Sequence, residues 1–123
     1  MAITTVTGPS FLALQVADVE RVVSFYENIV GMVRAPQSPP GAVVFATSPI
    51  AFGVRGPLPD TDLAAGLPGL GVALWFACED ARALHDHLAA EGVDIVTPPF
   101  ASPFGDAFAF RDPAGYVITM HTG

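Results

Sequence analysis

The residues that could do chemistry in this chain are few and widely spaced. The sequence contains three histidines, one cysteine and twelve acidic residues. His85 and His87 are two positions apart on a predicted helix, so their side chains point about 200° apart and cannot hold one metal ion together. We interpret both as solvated polar residues on an exterior helix.

Cys78 and Asp106 are the other reactive side chains that stand out. Cys78 has no adjacent basic residue that would activate its thiol, so an inert buried cysteine is favoured over a nucleophile. Asp106 precedes a predicted strand and is a candidate acid or base at the mouth of a cleft, although such loop aspartates are common on protein surfaces. The glycines near Gly69 are followed by a strand and not by a helix, which argues against a phosphate-binding loop.

The composition predicts one globular domain that is held together by packing. The chain has 123 residues, of which 51% are hydrophobic and 14% are charged, and a chain of this length buries roughly two thirds of its unfolded surface. A single cysteine excludes an internal disulfide. Apolar runs stay well below the roughly 20 residues that span a bilayer, and the first residues lack a signal-peptide pattern. We therefore expect a cytoplasmic protein with no membrane partner.

The charge balance argues against a nucleic acid partner. The formal net charge is -7, and the five basic residues are arginines scattered singly along the chain. Binding to a phosphate backbone needs clustered positive charge. An acidic surface favours cationic or neutral ligands, although acidity alone often serves only solubility.

The chain shows the same order of elements twice. An apolar strand over 11–16 leads to Asp18 as an N-cap and then to an amphipathic helix over 19–30, which ends at Gly31. The corresponding elements of the second half are a strand over 72–78, the N-cap Asp80 and a helix from Ala81 to near Gly92.

Short β-rich segments follow each predicted helix. They span residues 42–47 and 50–55 in the first half, and 93–96, 108–111 and 116–121 in the second. The sequence Asp112-Pro113-Ala114-Gly115 has the residues of a type I turn and predicts a hairpin. We therefore expect an α+β fold and one domain over 1–123, with a first module over about 10–56, an irregular linker over about 57–69 and a second module over about 70–123.

These features resemble a known superfamily. The segment Phe11–Asp18, followed by Phe25-Tyr26 and Gly31, is similar to the opening of a vicinal oxygen chelate module, the unit of glyoxalases, bleomycin resistance proteins and extradiol dioxygenases. The second half repeats it, and Phe104-Gly105 and Arg111–Gly115 resemble that family's closing pattern. The resemblance implies two βαβββ modules whose curled mixed sheets surround a cleft, with the helices outside.

The resemblance also implies where a metal would bind. Metal-dependent members place a His on the first strand and a Glu on the last strand of each module. The matching positions here are Phe11, Gly53, Ala73 and Thr119. Three of these side chains have no donor atom, and a threonine hydroxyl alone is a weak ligand. We therefore expect no metal site and no cofactor, and whether the chain is an enzyme stays open.

Strand alternation, placed by this resemblance, predicts the lining of the cleft. The candidate ligand-binding residues are Phe11, Gln15, Arg55, Trp75, Thr119 and His121. Aromatic walls with few polar groups are typical of small-molecule pockets, but Trp75 would also suit a core or a dimer interface. His121 has four interpretations: a lone metal ligand, a proton shuttle, a hydrogen-bond donor to a ligand, or a frayed terminal residue.

The leading hypothesis for function is a metal-independent protein that binds a small, partly aromatic molecule, such as an antibiotic that it sequesters. The alternative is a metal-dependent lyase, isomerase or dioxygenase of the same superfamily, with non-standard ligands that include His121. A third hypothesis is a protein that binds no ligand and serves in interactions. The small modules and the edge strands of a cupped sheet predict a homodimer, with the cleft formed within one chain or across the two-fold axis.

Overall fold

Each half of the chain begins with a strand that leads into a helix. The computed structural model describes residues 3–122. The strands in chain order are β1 (Phe11–Gln15), β2 (Ala42–Phe45), β3 (Ala51–Arg55), β4 (Leu74–Cys78), β5 (Asp94–Ser102), β6 (Gly105–Arg111) and β7 (Val117–Thr122). The helices are α1 (Val19–Ser24), which continues as a π-helical segment over Phe25–Val30, and α2 (Ala81–Ala90). Within residues 3–122, no helix is long and apolar enough to span a membrane.

Both predicted N-caps are confirmed. Asp18 Oδ1 accepts a hydrogen bond from the Arg21 amide at 3.2 Å, and Asp80 Oδ1 accepts one from the Ala83 amide at 3.1 Å. Each bond satisfies a backbone donor that the first helical turn leaves unpaired. The two helices therefore start where the sequence places them, directly after the first strand of each module.

The first helix differs from the uniform helix predicted over 19–30. Its second half is π-helical, and the amides of Gly31 and Met32 both donate to the Tyr26 carbonyl, at 3.0 and 2.9 Å. Gly31 has a φ of +93°, a left-handed conformation that ends the helix as predicted. The spacing of apolar residues does not separate the two helix types over so short a segment.

The strands form two separate sheets, as the fold class requires. The first sheet has the order β1-β3-β2, with β1 parallel and β2 antiparallel to β3. The second has the order β4-β7-β6-β5, with β4 parallel to β7 and the remaining pairs antiparallel. The α+β class is confirmed. The strands β1 and β4, which open the two modules, each lie at an edge of their sheet.

One strand of the first module is reduced to an isolated bridge. The resemblance implies a strand between the first helix and β2, but only Arg34 and Phe45 form a bridge there. Prolines at positions 36, 39 and 40 follow this bridge. Because proline lacks the N–H that a sheet needs, the segment cannot extend the pairing. The first sheet therefore has three strands and the second has four.

Strand β5 is longer than the segment predicted over 93–96. It continues through Pro98 and Pro99 to Ser102, with register irregularities against β6 between Ile95 and Phe100. Prolines are tolerated in β5 because it is the edge strand of its sheet. The two prolines concealed the second half of this strand in the sequence.

The predicted hairpin between β6 and β7 is confirmed. Gly115 donates its amide to the Asp112 carbonyl at 3.0 Å and has a φ of +98°. Asp112 Oδ1 accepts from the amides of Ala114 and Tyr116, both at 2.9 Å. The turn therefore holds its shape through the buried carboxylate of Asp112.

The two modules share one hydrophobic core, which lies on the helix-facing sides of both sheets. Leu14 and Leu74 face this core and are 3% and 8% exposed, whereas Phe11 and Trp75 on the opposite sides are 50% and 44% exposed. The predicted alternation of these strands is therefore confirmed. The shared core leaves the other face of each sheet on the outside of the chain. We call these the open faces.

Candidate functional site

Three of the predicted ligand-binding residues lie together on the open face of the second sheet. Trp75 is paired in register with Thr119, and Ala77 is paired with His121. Paired residues project from the same side of a sheet, and Ala77 lies two residues after Trp75. The ring centroids of Trp75 and His121 are 5.7 Å apart.

The other three predicted residues lie on the first sheet. Gln15 Oε1 accepts a hydrogen bond from the Leu58 amide at 2.8 Å, and Arg55 Nε donates to the carbonyl of Gly56 at 3.0 Å. Both polar side chains are thus bonded to backbone at the start of the linker. Phe11 stands on the open face of the first sheet, where its ring contacts Gly53.

One chain therefore does not assemble the six predicted residues around a single cleft. The lining was predicted for a cleft that forms either within one chain or across a two-fold axis. Within one chain the open faces of the two sheets do not meet. The shared core prevents this, because it joins the sheets through their helix-facing sides. The six residues form two groups, one on each open face.

Phe104 completes the group on the second sheet, and the sequence did not single it out as a ligand-binding residue. Its ring centroid lies 5.8 Å from that of Trp75 and 6.3 Å from that of His121. His121 Nδ1 is 3.2 Å from the Phe104 carbonyl oxygen. Phe104 is 62% exposed although it is large and apolar. We call Trp75, Phe104 and His121 the aromatic cluster.

A detectable signal for Phe104 was present in the sequence. Pro103 and Phe104 form the two-residue connection between β5 and β6, and an aromatic residue at a loop tip is exposed by its position. The position of Phe104 beside His121 could be predicted only with the full length of β5, because the extended strand brings the loop to that place.

A cavity of about 700 Å³ borders the aromatic cluster and lies between the two modules. Its second-module wall consists of Trp75–Asp80, Leu84, His87, Met120 and His121. Its first-module wall consists of Leu12, Val30–Met32, Thr47–Ile50 and Phe52. Most of these side chains are apolar, and the volume lies within the range of about 300–1,000 Å³ that is usual for small-molecule sites.

The charged side chains that line this cavity are acidic. Glu79 and Asp80 lie together at the start of α2, and the lining contains no arginine. Asp80 is engaged in capping the helix. The wall at this end can therefore accept hydrogen bonds but repels an anionic group.

One of the two helical histidines is less solvated than predicted. His87 Nε2 is 2.9 Å from the Ile29 carbonyl oxygen, which joins α2 to the π-helical segment at the cavity wall. The His85 ring packs edge-on against Phe108, with centroids 5.4 Å apart. The contact with Phe108 leaves His85 only partly exposed, which corrects its prediction as a solvated residue. His87 is exposed, as predicted.

The structure gives Asp106 and Cys78 ordinary roles. The Asp106 carboxylate forms an ion pair with Arg82 Nε at 3.1 Å on the exposed surface of α2 and β6. Cys78 lies on the cavity wall, and partial burial raises the pKa of its thiol. A raised pKa keeps the thiol protonated, which agrees with the prediction of an inert cysteine.

The model of one protein family matches nearly the entire chain. It describes the Glyoxalase/Bleomycin resistance protein/Dioxygenase superfamily and matches residues 8–120. The chain belongs to this superfamily. A search of curated proteins found no match.

Solved structures of the superfamily include a protein that binds antibiotics. The chain is similar to TnmS3, an antibiotic binding protein from Streptomyces sp. CB03234, at 25% identity and a TM-score of 0.74, over 99% of this chain and 98% of that one. A glyoxalase/bleomycin resistance protein from the same organism has 23% identity, a TM-score of 0.74 and coverages of 93% and 99%. Lactoylglutathione lyase from Agrobacterium tumefaciens has 16% identity, a TM-score of 0.68 and coverages of 98% and 96%. These last two show the fold alone.

The positions that metal-dependent members of the superfamily use for ligands do not fit a metal ion in this chain. A Cβ atom added to Gly53 would lie 2.9 Å from Phe11 Cζ, so one aromatic ring fills the space of two ligand positions. Ala73 precedes β4, and Thr119 offers a single hydroxyl. Between residues 3 and 122, no group of three or more His, Cys, Asp or Glu side chains could hold a metal ion. What the site offers is aromatic and apolar surface.

Proposed function

We propose that this chain binds a small, partly aromatic molecule without using a metal ion, and that it sequesters this molecule in the cytoplasm. The observation that carries the proposal is the aromatic cluster, which stands exposed at the border of an apolar cavity. Trp75 and Phe104 are 44% and 62% exposed. Large aromatic side chains that are left in water beside a cavity favour a ligand that covers them.

The cluster supplies the geometry of a stacking site. Trp75 and Phe104 meet edge to face, with an interplanar angle of 74°. The two rings therefore do not stack on each other, and the exposed part of each is available to a flat ligand, which would gain roughly 0.5–1.5 kcal/mol beyond the burial of its area. His121 lies beside both rings and can donate or accept a hydrogen bond at the ligand's edge.

The similarity to an antibiotic binding protein supports the choice of ligand class. TnmS3 has this fold over almost the whole length of both chains. TnmS3 is an antibiotic binding protein, and binding of such a molecule agrees with a site that has aromatic walls. Antibiotics with a flat aromatic part are therefore the first candidates for the natural ligand.

We also propose that the protein is a homodimer. The open faces of the two sheets leave Phe11 and Trp75 half exposed on the outside of one chain. In a dimer, the open face of the first sheet in one copy would cover the open face of the second sheet in the other copy. This arrangement brings together the two groups of predicted residues. One group is Phe11, Gln15 and Arg55, and the other is Trp75, Thr119 and His121. Light scattering at micromolar concentration should give twice the chain mass of 12.8 kDa. A mass near 12.8 kDa would refute the dimer without refuting binding by one chain.

Calorimetric titration tests the binding site. The probes are methyl 2-naphthoate, which is flat and neutral, and proflavine, which is flat and cationic. Trp75→Ala should weaken the binding of at least one probe about tenfold, which corresponds to 1.4 kcal/mol. The affinity of Trp75→Phe should lie between those of the wild type and Trp75→Ala, because phenylalanine keeps part of the stacking surface. Leu70→Ala is the matched control, since Leu70 is 76% exposed and lies outside this cavity.

The same protein preparation tests the absence of a metal requirement. The protein is expressed in medium supplemented with iron, zinc, nickel and manganese, and its metal content is then measured. Binding that is unchanged by a chelator supports the proposal. Stoichiometric bound metal, together with loss of binding after its removal, would favour a metal-dependent enzyme instead.

A further inference from the structure

The cavity follows the free edge of a β-strand. Strand β4 is the last in the order β4-β7-β6-β5, so only one of its edges is paired in the described part of the chain. Six consecutive residues, Trp75–Asp80, line the cavity. These residues belong to both faces of β4, so the cavity passes around the free edge of the strand.

The backbone groups on this edge have no protein partner between residues 3 and 122. In a strand, N–H and C=O groups point alternately to the two edges, and those of β4 that point toward β7 form the parallel ladder. Apart from that ladder, no backbone hydrogen bond within the described range involves residues 74–79. The remaining donors and acceptors of β4 point away from β7, toward the free edge that borders the cavity, where they are open to water.

This edge restricts which ligands can fill the cavity. A purely apolar ligand would displace the water and leave buried N–H and C=O groups unpaired, which is unfavourable. A ligand with alternating donors and acceptors at the spacing of a peptide replaces those bonds. Extended chains bind to free sheet edges in this way in many protein complexes.

We propose that the ligand is an amide-bearing molecule that pairs with the free edge of β4 as an added strand and places a flat aromatic group on Trp75. The inference rests on the proposed function and specifies its ligand class. Along β4, Phe76 and Cys78 face the core side, whereas Trp75 and Ala77 face the open side. A chain that lies along the edge therefore meets an apolar wall on one side and the aromatic cluster on the other.

The length of the strand sets the size of the amide portion. Five residues at about 3.3 Å each span roughly 17 Å, which accommodates an aromatic group and two or three amide units. Glu79 and Asp80 lie at the end of this path. Their carboxylates disfavour a free carboxylate at that end of the ligand, so a neutral or cationic terminus is expected.

A matched pair of probes tests the pairing. The first is 2-naphthoyl-alanyl-alanine methylamide. The second has the same aromatic group and the same shape, but ester oxygens replace all its backbone N–H groups. The amide probe should bind at least tenfold more tightly in calorimetric titration. Hydrogen exchange measured by NMR should slow at alternate amides within residues 75–79 when the amide probe is added.

The outcomes separate this inference from the proposed function. Equal affinity of the two probes, or unchanged exchange at residues 75–79, would overturn the pairing. Methyl 2-naphthoate has no N–H group and therefore tests stacking alone. If it binds while the amide and ester probes have equal affinity, the proposed function stands and only the pairing with β4 is overturned. Protection of alternate amides in a dimer before any probe is added would also overturn the inference, because a second copy of the chain would then occupy the edge.

Discussion

The ring of Phe11 lies directly over the bare backbone of Gly53. A Cβ atom at Gly53 would stand 2.9 Å from Phe11 Cζ and 3.2 Å from the Val43 carbonyl oxygen. The resemblance to the superfamily aligns both residues with positions that metal-dependent members use for ligands. The pair therefore replaces a coordination site by a contact between a ring and a glycine.

A double-mutant cycle measures this contact. Gly53→Ala should lower the free energy of unfolding by about 1 kcal/mol, because the new methyl group displaces the ring. In a Phe11→Ala background, Gly53→Ala should lower the free energy of unfolding clearly less, because the ring closest to the new methyl group is absent. Urea unfolding of the four proteins gives the coupling. Equal costs in the two backgrounds would show that the ring does not occupy this space in solution.

The hydroxyl of Tyr26 ties the first helix to the second module. It donates to Asp112 Oδ2 at 2.7 Å, and both residues are buried. Tyr26→Phe should lower the free energy of unfolding by about 1.5–3 kcal/mol, the range for hydrogen bonds to charged groups. Tyr116→Phe is the comparison, because its hydroxyl donates to the neutral carbonyl of Gln15 at 2.7 Å. A smaller loss in Tyr26→Phe than in Tyr116→Phe would contradict this account.

The buried carboxylate of Asp112 predicts a specific pH dependence. Burial raises its pKa above the ordinary carboxyl value, although hydrogen bonds from Tyr26 and from backbone amides oppose this. The folded state therefore binds a proton more readily than the unfolded state. Stability associated with this group should increase as pH falls from 7 through the raised pKa toward about 4.

Asp112→Asn isolates this effect, because the other titrating groups are the same in both proteins. The free energy of unfolding of the wild type, minus that of the variant, should be larger at pH 4.5 than at pH 7. Urea titrations at the two pH values give the difference. A difference that shrinks on acidification would mean that the hydrogen bonds outweigh burial.

Gly115 should tolerate no side chain. Its φ of +98° disfavours any residue with a Cβ, and that atom would lie 3.3 Å from Pro68 Cγ. Gly115→Val should destabilise the protein by about 1–3 kcal/mol. Gly66→Val is the control, because a Cβ at Gly66 meets nothing within 4 Å and its φ is not in the left-handed region. Similar thermal stability of the two variants would show that the turn is not under this constraint.

Local features of the fold could be predicted because the residues that specify them are adjacent in sequence. Asp18 and Asp80 are caps, Gly31 ends a helix, and Asp112 and Gly115 fix a turn. Each of these depends on a few neighbouring backbone groups. The exceptions are the π-helical half of the first helix, the strand reduced by prolines and the strand continued through prolines. The two strands were missed because proline acts differently at an edge than in the interior of a sheet.

The site could be predicted only in part, since it depends on how distant elements pack. Alternation correctly grouped Trp75 with Thr119 and His121 on one face. It could not show that the modules pack through their helix-facing sides, which separates Phe11 from Trp75. The cavity arises from that packing, so alternation along the strands could not predict its first-module wall at Leu12 and Phe52.

The central claim is that a small aromatic ligand stacks on Trp75 without a metal ion. Trp75 is the single tryptophan of the chain, so its fluorescence reports on this site alone. The decisive measurement is a titration of the chelator-treated wild-type protein with methyl 2-naphthoate and with proflavine. The account predicts a saturable change in emission, with a midpoint that matches calorimetry and is unaffected by added divalent metal. Calorimetric binding that leaves the emission of Trp75 unchanged, or that appears only after metal is added, would contradict it.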